Sequence, residues 1–209
     1  MHYYIAYGLK LALFLLAVVS SSVCHAQDLG KCLSLERGSA VQVQCLQAFG
    51  EKGTPSDQYS LAKVYYEGDE APLDYGEVEK WLLKSAERGS VDAQVTLGHV
   101  YLESIVSSAS HAKAEQWFQS AAEQGCLLAQ LRLALLLEKR YDYIGTLKWI
   151  IIADTRSESP DLEDTINYIS GGVTQKERDA ARKQAKAWLA SHPKNKNFNK
   201  EGFYELEKE

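Results

Sequence analysis

Several things are scarce in this chain of 209 residues. It has one methionine, four prolines, four cysteines and five histidines. So few cysteines exclude a disulfide-dense miniprotein, and so little proline excludes collagen-like repetition. No strong charge of either sign is present: the formal net charge of −5 excludes the basic face that a nucleic-acid binder needs. Long hydrophobic runs are missing beyond the N-terminus, so no internal segment approaches the roughly 20 apolar residues that cross a bilayer. There is no CxxC pair, and thioredoxin-type redox chemistry has no support. HExxH, GxSxG and the phosphate-cradling GxxxxGK[ST] are also missing, as is a His/Cys pattern for zinc. No cofactor or metal is implied. What remains, 45% apolar and 24% charged residues, is ordinary globular composition.

The N-terminus reads as a secretory signal peptide over residues 1–26. Lys10 supplies the positive charge, Leu11–Val19 the apolar stretch, and Ser20–Ala26 a small, polar end with cleavage after Ala26. The apolar stretch is too short for a membrane anchor. A lipid on Cys24 is disfavoured, because Val23 is bulky where lipoprotein signals carry a small residue. Export leads to a periplasmic protein with no stable membrane span after processing. Three cysteines then remain, and an oxidising compartment favours pairing of two. Cys32 and Cys45 are close in sequence and flank the Arg37-Gly38-Ser39 turn, so they form the expected disulfide. Cys126 is left as a buried free thiol.

What is abundant is repetition. Gly53, Gly89 and Gly125 are spaced by 36 residues. The same offset links Gln58, Gln94 and Gln130, then Leu61, Leu97 and Leu133, then Tyr65, Tyr101 and Leu137. Ala62, Gly98 and Ala134 form a column of small residues. Trp81 and Trp117 recur at the same period, as do Ala86 and Ala122, while Trp149 arrives four residues early. A fixed period of this size marks a repeat architecture. Each repeat reads as two helices. Leu61, Val64 and Tyr65 form the apolar stripe of the first, with Asp57 in place of the leading alanine. Ala93, Leu97, Val100 and Tyr101 form it in the second, and Ala129, Leu133, Leu136 and Leu137 in the third. The partner helices carry Val78, Trp81, Leu82 and Ser85, then Ala114, Trp117, Phe118 and Ala121. The tryptophans, Trp188 included, are assigned to the core.

These residues resemble the Sel1-like repeat family, an α/α repeat related to the tetratricopeptide class. The stretch Tyr59–Gly89, followed by Asp92-Ala93-Gln94, carries the resemblance. It extends over about residues 54–155 and departs in three places. Ala62 replaces a usual glycine, Ser104–Ser110 replaces the Gly-rich loop of repeat two, and the third repeat loses its tyrosine and part of its loop. The resemblance implies an all-α solenoid of about three repeats. Residues 27–53 form an N-terminal helical cap, with Val41, Cys45, Ala48 and Phe49 as its stripe. Residues 156–192 supply C-terminal capping helices, opened by a Thr174–Glu177 capping box and stopped at His192-Pro193. Residues 193–209 read as a flexible tail.

The family's concave surface is lined by the first helix of each pair. By similarity its positions fall on Tyr59, Lys63 and Tyr66 in repeat one. They fall on Asp92, Val95, His99, Leu102 and Glu103 in repeat two, and on Leu128, Leu131, Leu135 and Glu138 in repeat three. An apolar, aromatic face with a charged rim suits a protein partner. The resemblance therefore implies a non-catalytic protein-binding module, an adaptor or regulator of an envelope complex. An immunity protein that neutralises a type VI secretion effector, such as a phospholipase, is the alternative within binding. A cell-wall or β-lactam hydrolase is the alternative in another class. It rests on Ser60–Lys63, Ser110–Lys113 and Ser191–Lys194, which lack the companion motifs of the penicillin-binding enzymes. The acidic clusters Asp69-Glu70 and Asp161, Glu163 and Asp164 read as solvated loop charge, with calcium or a basic partner as functional readings. His99 and His111 read as surface histidines.

Overall fold

A computed structural model describes residues 29–103, 108–157 and 161–193. The expected signal peptide, the tail beyond Pro193 and Lys194 lie outside the described residues. The described residues form ten α-helices and no strand. They fall into two units, Met1–Ser90 and Val91–Glu209.

The first unit contains α1 (Leu29–Leu33), α2 (Ala40–Lys52), α3 (Pro55–Glu67) and α4 (Tyr75–Glu87). Each boundary has a chemical cause. The Ser39 hydroxyl accepts the N–H of Gln42 and starts α2. Thr54 and Asp57 form a reciprocal capping box at α3, with Pro55 in its first turn. That explains why an aspartate stands where the other repeats have alanine. Asp74 accepts the N–H groups of Gly76 and Glu77 and starts α4. The expected disulfide joins Cys32 of α1 to Cys45 of α2, with Cα atoms 5.4 Å apart. Leu46, Phe49, Leu61, Tyr65, Trp81 and Leu82 are buried together as the unit's apolar interior. Trp81 fits because Gly50 has no side chain: a Cβ there would lie 2.4 Å from the indole. The stripe of α2 is rotated from the expected one. Val41 is exposed and Ala48 half-buried, while Gln42 and Leu46 join Cys45 and Phe49 inside.

The second unit contains α5 (Val91–Glu103), α6 (Ser108–Glu123), α7 (Leu127–Lys139), α8 (Tyr143–Ser157), α9 (Asp161–Gly171) and α10 (Gln175–Ser191). Helices α5 and α6 pair, as do α7 and α8, and both α9 and α10 pack on α8. The Thr174–Glu177 capping box opens α10 as expected. Trp188 of α10 meets Trp149 of α8 edge to face at 5.7 Å and donates its indole N–H to Glu123 of α6. His192, which ends the helix, stacks on Trp188 at 4.1 Å. Gly89 and Gly125 both have φ of +91°, the left-handed conformation the repeat turns require. In the α7–α8 turn Tyr141 takes φ 62°, close to the 72° of Gly68 in the α3–α4 turn, without glycine's freedom.

The small column is buried as expected: Ala62, Gly98 and Ala134 are all in the core. The glutamine column is a structural device. Gln58 donates to the Gly50 carbonyl at 2.9 Å, and Gln130 to the Ala122 carbonyl at 3.2 Å. In both, a buried amide reaches back across the turn onto the preceding helix. Four core assignments need correction. Val100 is exposed, and Leu137 and Tyr101 are half-buried at the margin. Trp117 is only partly buried, and Phe118 beside it takes the central place. The cluster Asp161, Glu163 and Asp164 begins a helix instead of forming a loop.

Candidate protein-binding faces

The twelve groove positions divide between the units: Tyr59, Lys63 and Tyr66 belong to the first, the other nine to the second. At about 100° per residue, Tyr59, Lys63 and Tyr66 lie within about 60° on one side of α3. Lys63 is exposed, Tyr66 is 52% exposed, and Tyr59 is half-buried with its hydroxyl inside. The face is therefore open mainly at its C-terminal end.

On α5 the expectation fails in part. Val95 is 3% exposed and belongs to the same core as Phe118 and Leu133. Leu102 packs against that core from the margin. The buried side of this helix runs from Ala93 through Gly98 to Val95, an arc of about 200°, far wider than a single stripe. Sequence spacing identifies the centre of a buried arc but not its width, and Val95 sits at its edge. On the groove side α5 keeps Asp92, Thr96 and His99 half-buried, while Val100, beyond them, is exposed. Burial raises the pKa of Asp92. His99 is half-buried and meets the Phe118 ring edge to face at 5.3 Å. The side chain of Glu103 lies outside the described residues.

On α7 the face is apolar. Leu128, Leu131, Leu135 and Glu138 lie within about 80° of one another. Leu135 is 51% exposed; Leu131 and Glu138 are half-buried, and Leu128 packs partly against the core. Leu135 is thus the leucine of this side most open to solvent, with Leu131 half-buried and Leu128 turned partly to the core.

Sequence reasoning missed Leu73, Tyr75, Tyr141 and Tyr168, all half exposed or more. Tyr75 could have been found, since Asp74 is a strong N-cap and the next residue opens the first turn toward solvent.

The residues considered for chemistry are spread out. Ser60 and Lys63 are on α3, with Lys63 exposed; Lys113 stands over the Tyr101 ring at 5.0 Å. Ser191 uses its hydroxyl on the Trp188 carbonyl at 2.9 Å, as a helix-end residue does. Cys126 is free and half-buried. Burial, aided by the charge of Asp92, pushes its thiol pKa up, although the N–H groups of Ala129 and Leu128 pull the other way. That environment disfavours the thiolate a nucleophile needs.

The Sel1 repeat family model matches residues 55–90 and 91–126, which are the α3–α4 and α5–α6 pairs. Residues 127–155 lie outside the match, although α7 and α8 keep the same helical pairing. No curated protein matches the chain. Among solved structures, a Sel1 repeat protein from Oxalobacter formigenes is 25% identical with a TM-score of 0.54. The match covers 72% of this chain and 44% of that one. The protein c5321, titled a protective antigen present in uropathogenic Escherichia coli strains displaying an SLR fold, is 22% identical with a TM-score of 0.41. That match covers 79% of this chain and 44% of that one. The chain thus spans less than half the length of either. It carries two consecutive Sel1 repeats, at residues 55–90 and 91–126, within an all-α helical-repeat fold.

Proposed function

We propose that this chain is a non-catalytic protein-binding module of the bacterial periplasm, acting as an adaptor or regulator of an envelope complex. Sel1 repeats are generally protein–protein interaction modules. One observation carries the reading for this chain: the repeat helices α3 and α7 hold Tyr66 and Leu135 about half exposed on faces turned from the core. Large apolar side chains held rigidly by a scaffold are what a protein interface uses as anchors. The Cys32–Cys45 bridge supports an oxidising compartment, as does the signal-like N-terminus. An immunity role would use the same surfaces, and the identity of the partner separates the two.

The test is co-purification from periplasmic extract with the processed chain. A specific partner should be recovered. Tyr66→Ala or Leu135→Ala should weaken it by about 1–2 kcal/mol, with helicity unchanged. Lys183→Ala on the outer side of α10 should have no effect. Turnover of a cell-wall or β-lactam substrate that disappears in Ser60→Ala would replace this reading with a hydrolase.

A further inference from the structure

We propose that the α3–α4 loop of the first unit, together with the helix ends that flank it (residues 66–75), is a docking surface for a basic segment of a protein partner. This rests on the protein-binding reading and supplies the chemistry that reading leaves open. Tyr66, Leu73 and Tyr75 are 52%, 50% and 68% exposed on this one short stretch. They are set in acid: residues 64–79 carry Glu67, Asp69, Glu70, Asp74, Glu77 and Glu79 and no lysine, arginine or histidine. Glu67, Asp69 and Glu70 are exposed. Glu77 is paired with Lys80 at 3.0 Å and Asp74 caps α4, so the open negative charge of this surface rests mainly on Glu67, Asp69 and Glu70. Exposed aromatic anchors within a negative rim complement lysine- or arginine-rich protein, and repel acidic competitors.

The loop is held in place from behind. The side chain of Gln42, fully buried, accepts the Gly38 N–H at 2.7 Å and donates to the Glu70 carbonyl at 2.9 Å. Arg37 donates to the Gly68 carbonyl. Pro72 packs against Gly38, where an added Cβ would lie 3.1 Å from its ring. Asp74 donates its N–H to the Tyr65 carbonyl, and Ala71 is buried. Thus Arg37 and Gln42, between the two bridged cysteines, take up two of the segment's carbonyls, while Tyr66, Leu73 and Tyr75 stay exposed. A surface fixed before binding loses less entropy when it binds.

Beneath the acidic rim, the Tyr65 hydroxyl is buried and has no hydrogen-bond partner among the described residues. Burial, with the nearby charges of Glu77 and Asp74, pushes its pKa up to about 12.

The test uses the exported chain in producing cells, with a photo-crosslinking amino acid at position 73 or, separately, at position 135. The crosslinked segment is sequenced and a synthetic peptide of that segment is titrated against the purified protein. The proposal expects a segment of net positive charge at position 73. It also expects Asp69→Asn/Glu70→Gln to weaken the peptide at least fivefold and to flatten its salt dependence, with the circular dichroism spectrum unchanged. A neutral or acidic segment overturns the proposal, as does unchanged binding in the charge variant. Crosslinking at 135 without 73 overturns it while leaving protein binding intact. Crosslinking at neither position counts against both.

Discussion

Gly98 is the position where the packing of the second repeat is most exposed to test. A Cβ built on it would lie 2.6 Å from Cε1 and Cζ of Phe118 and 2.8 Å from Cδ1. Real side chains do not approach so closely. Gly98 lies inside α5, so alanine would ordinarily stabilise the helix by about 0.5–1 kcal/mol. Overpacking a closed core costs about 1–3 kcal/mol. Phe118 is fully buried and braced by the edge of His99, so it has little room to retreat. The clash therefore outweighs the propensity, and Gly98→Ala should destabilise by about 0.5–2 kcal/mol. The repeats suggest the remedy. At the positions matching Gly98 and Phe118, repeat one has Ala62 and Leu82, and repeat three has Ala134 and Ile150. A small residue with a β-carbon goes with an aliphatic partner, and glycine goes with the ring. Gly98→Ala/Phe118→Leu should then recover most of the loss, with a coupling of at least about 1 kcal/mol in a double-mutant cycle. Urea unfolding followed at 222 nm measures all four proteins. Gly171→Ala, at a site with nothing within 4 Å, is the reference and should be neutral or better. If Gly98→Ala is as stable as Gly171→Ala, or if the two changes simply add, the close approach of α5 and α6 is not governed by this pair.

Three other outcomes are expected. Reduction of Cys32–Cys45 should cost the first unit about 2–4 kcal/mol, and a non-reducing peptide map should link those two residues and leave Cys126 free. Gln58→Leu should cost about 0.5–1.5 kcal/mol by removing the donor to the Gly50 carbonyl. Gln58→Glu should cost more at neutral pH and recover in acid, as the buried carboxyl protonates; melting curves across pH read both. Asp92 has a raised pKa, so the folded chain holds its proton more tightly than the unfolded chain, whose value is near 3.8. Stability present below that value is lost as pH rises through the raised one. Asp92→Asn should therefore gain on wild type as pH rises through the carboxylate range, and parallel curves would refute this.

The helices were legible because their causes are local. The Thr174–Glu177 capping box announces a helix start by side-chain chemistry alone, and a period of 36 residues places Leu61, Leu97 and Leu133 in equivalent interiors. The disulfide was legible because only one turn separates its cysteines. The faces were less so. Val95 and Leu102 are groove positions by similarity to the repeat family, but the width of a buried arc depends on how many neighbours a helix has. Trp117 and Phe118 are adjacent and both aromatic, so a shift of one residue decides which fills the centre. Val41 lost its place for a similar reason: Gln42 is needed inside to hold the Glu70 carbonyl, a partner 28 residues away that no local pattern announces.

The two glutamines that reach back across a turn, Gln58 and Gln130, have a kinetic consequence. Gln58 and Gln130 each meet a carbonyl only eight residues earlier, so these joints close over short loops. Contacts of such low order form early and quickly, within the time of local chain motion. The bond from Trp188 to Glu123 spans 65 residues and has to wait until the helices between are in place. Folding of the second unit should then run from the turns outward, with the docking of α10 as its last and slowest step.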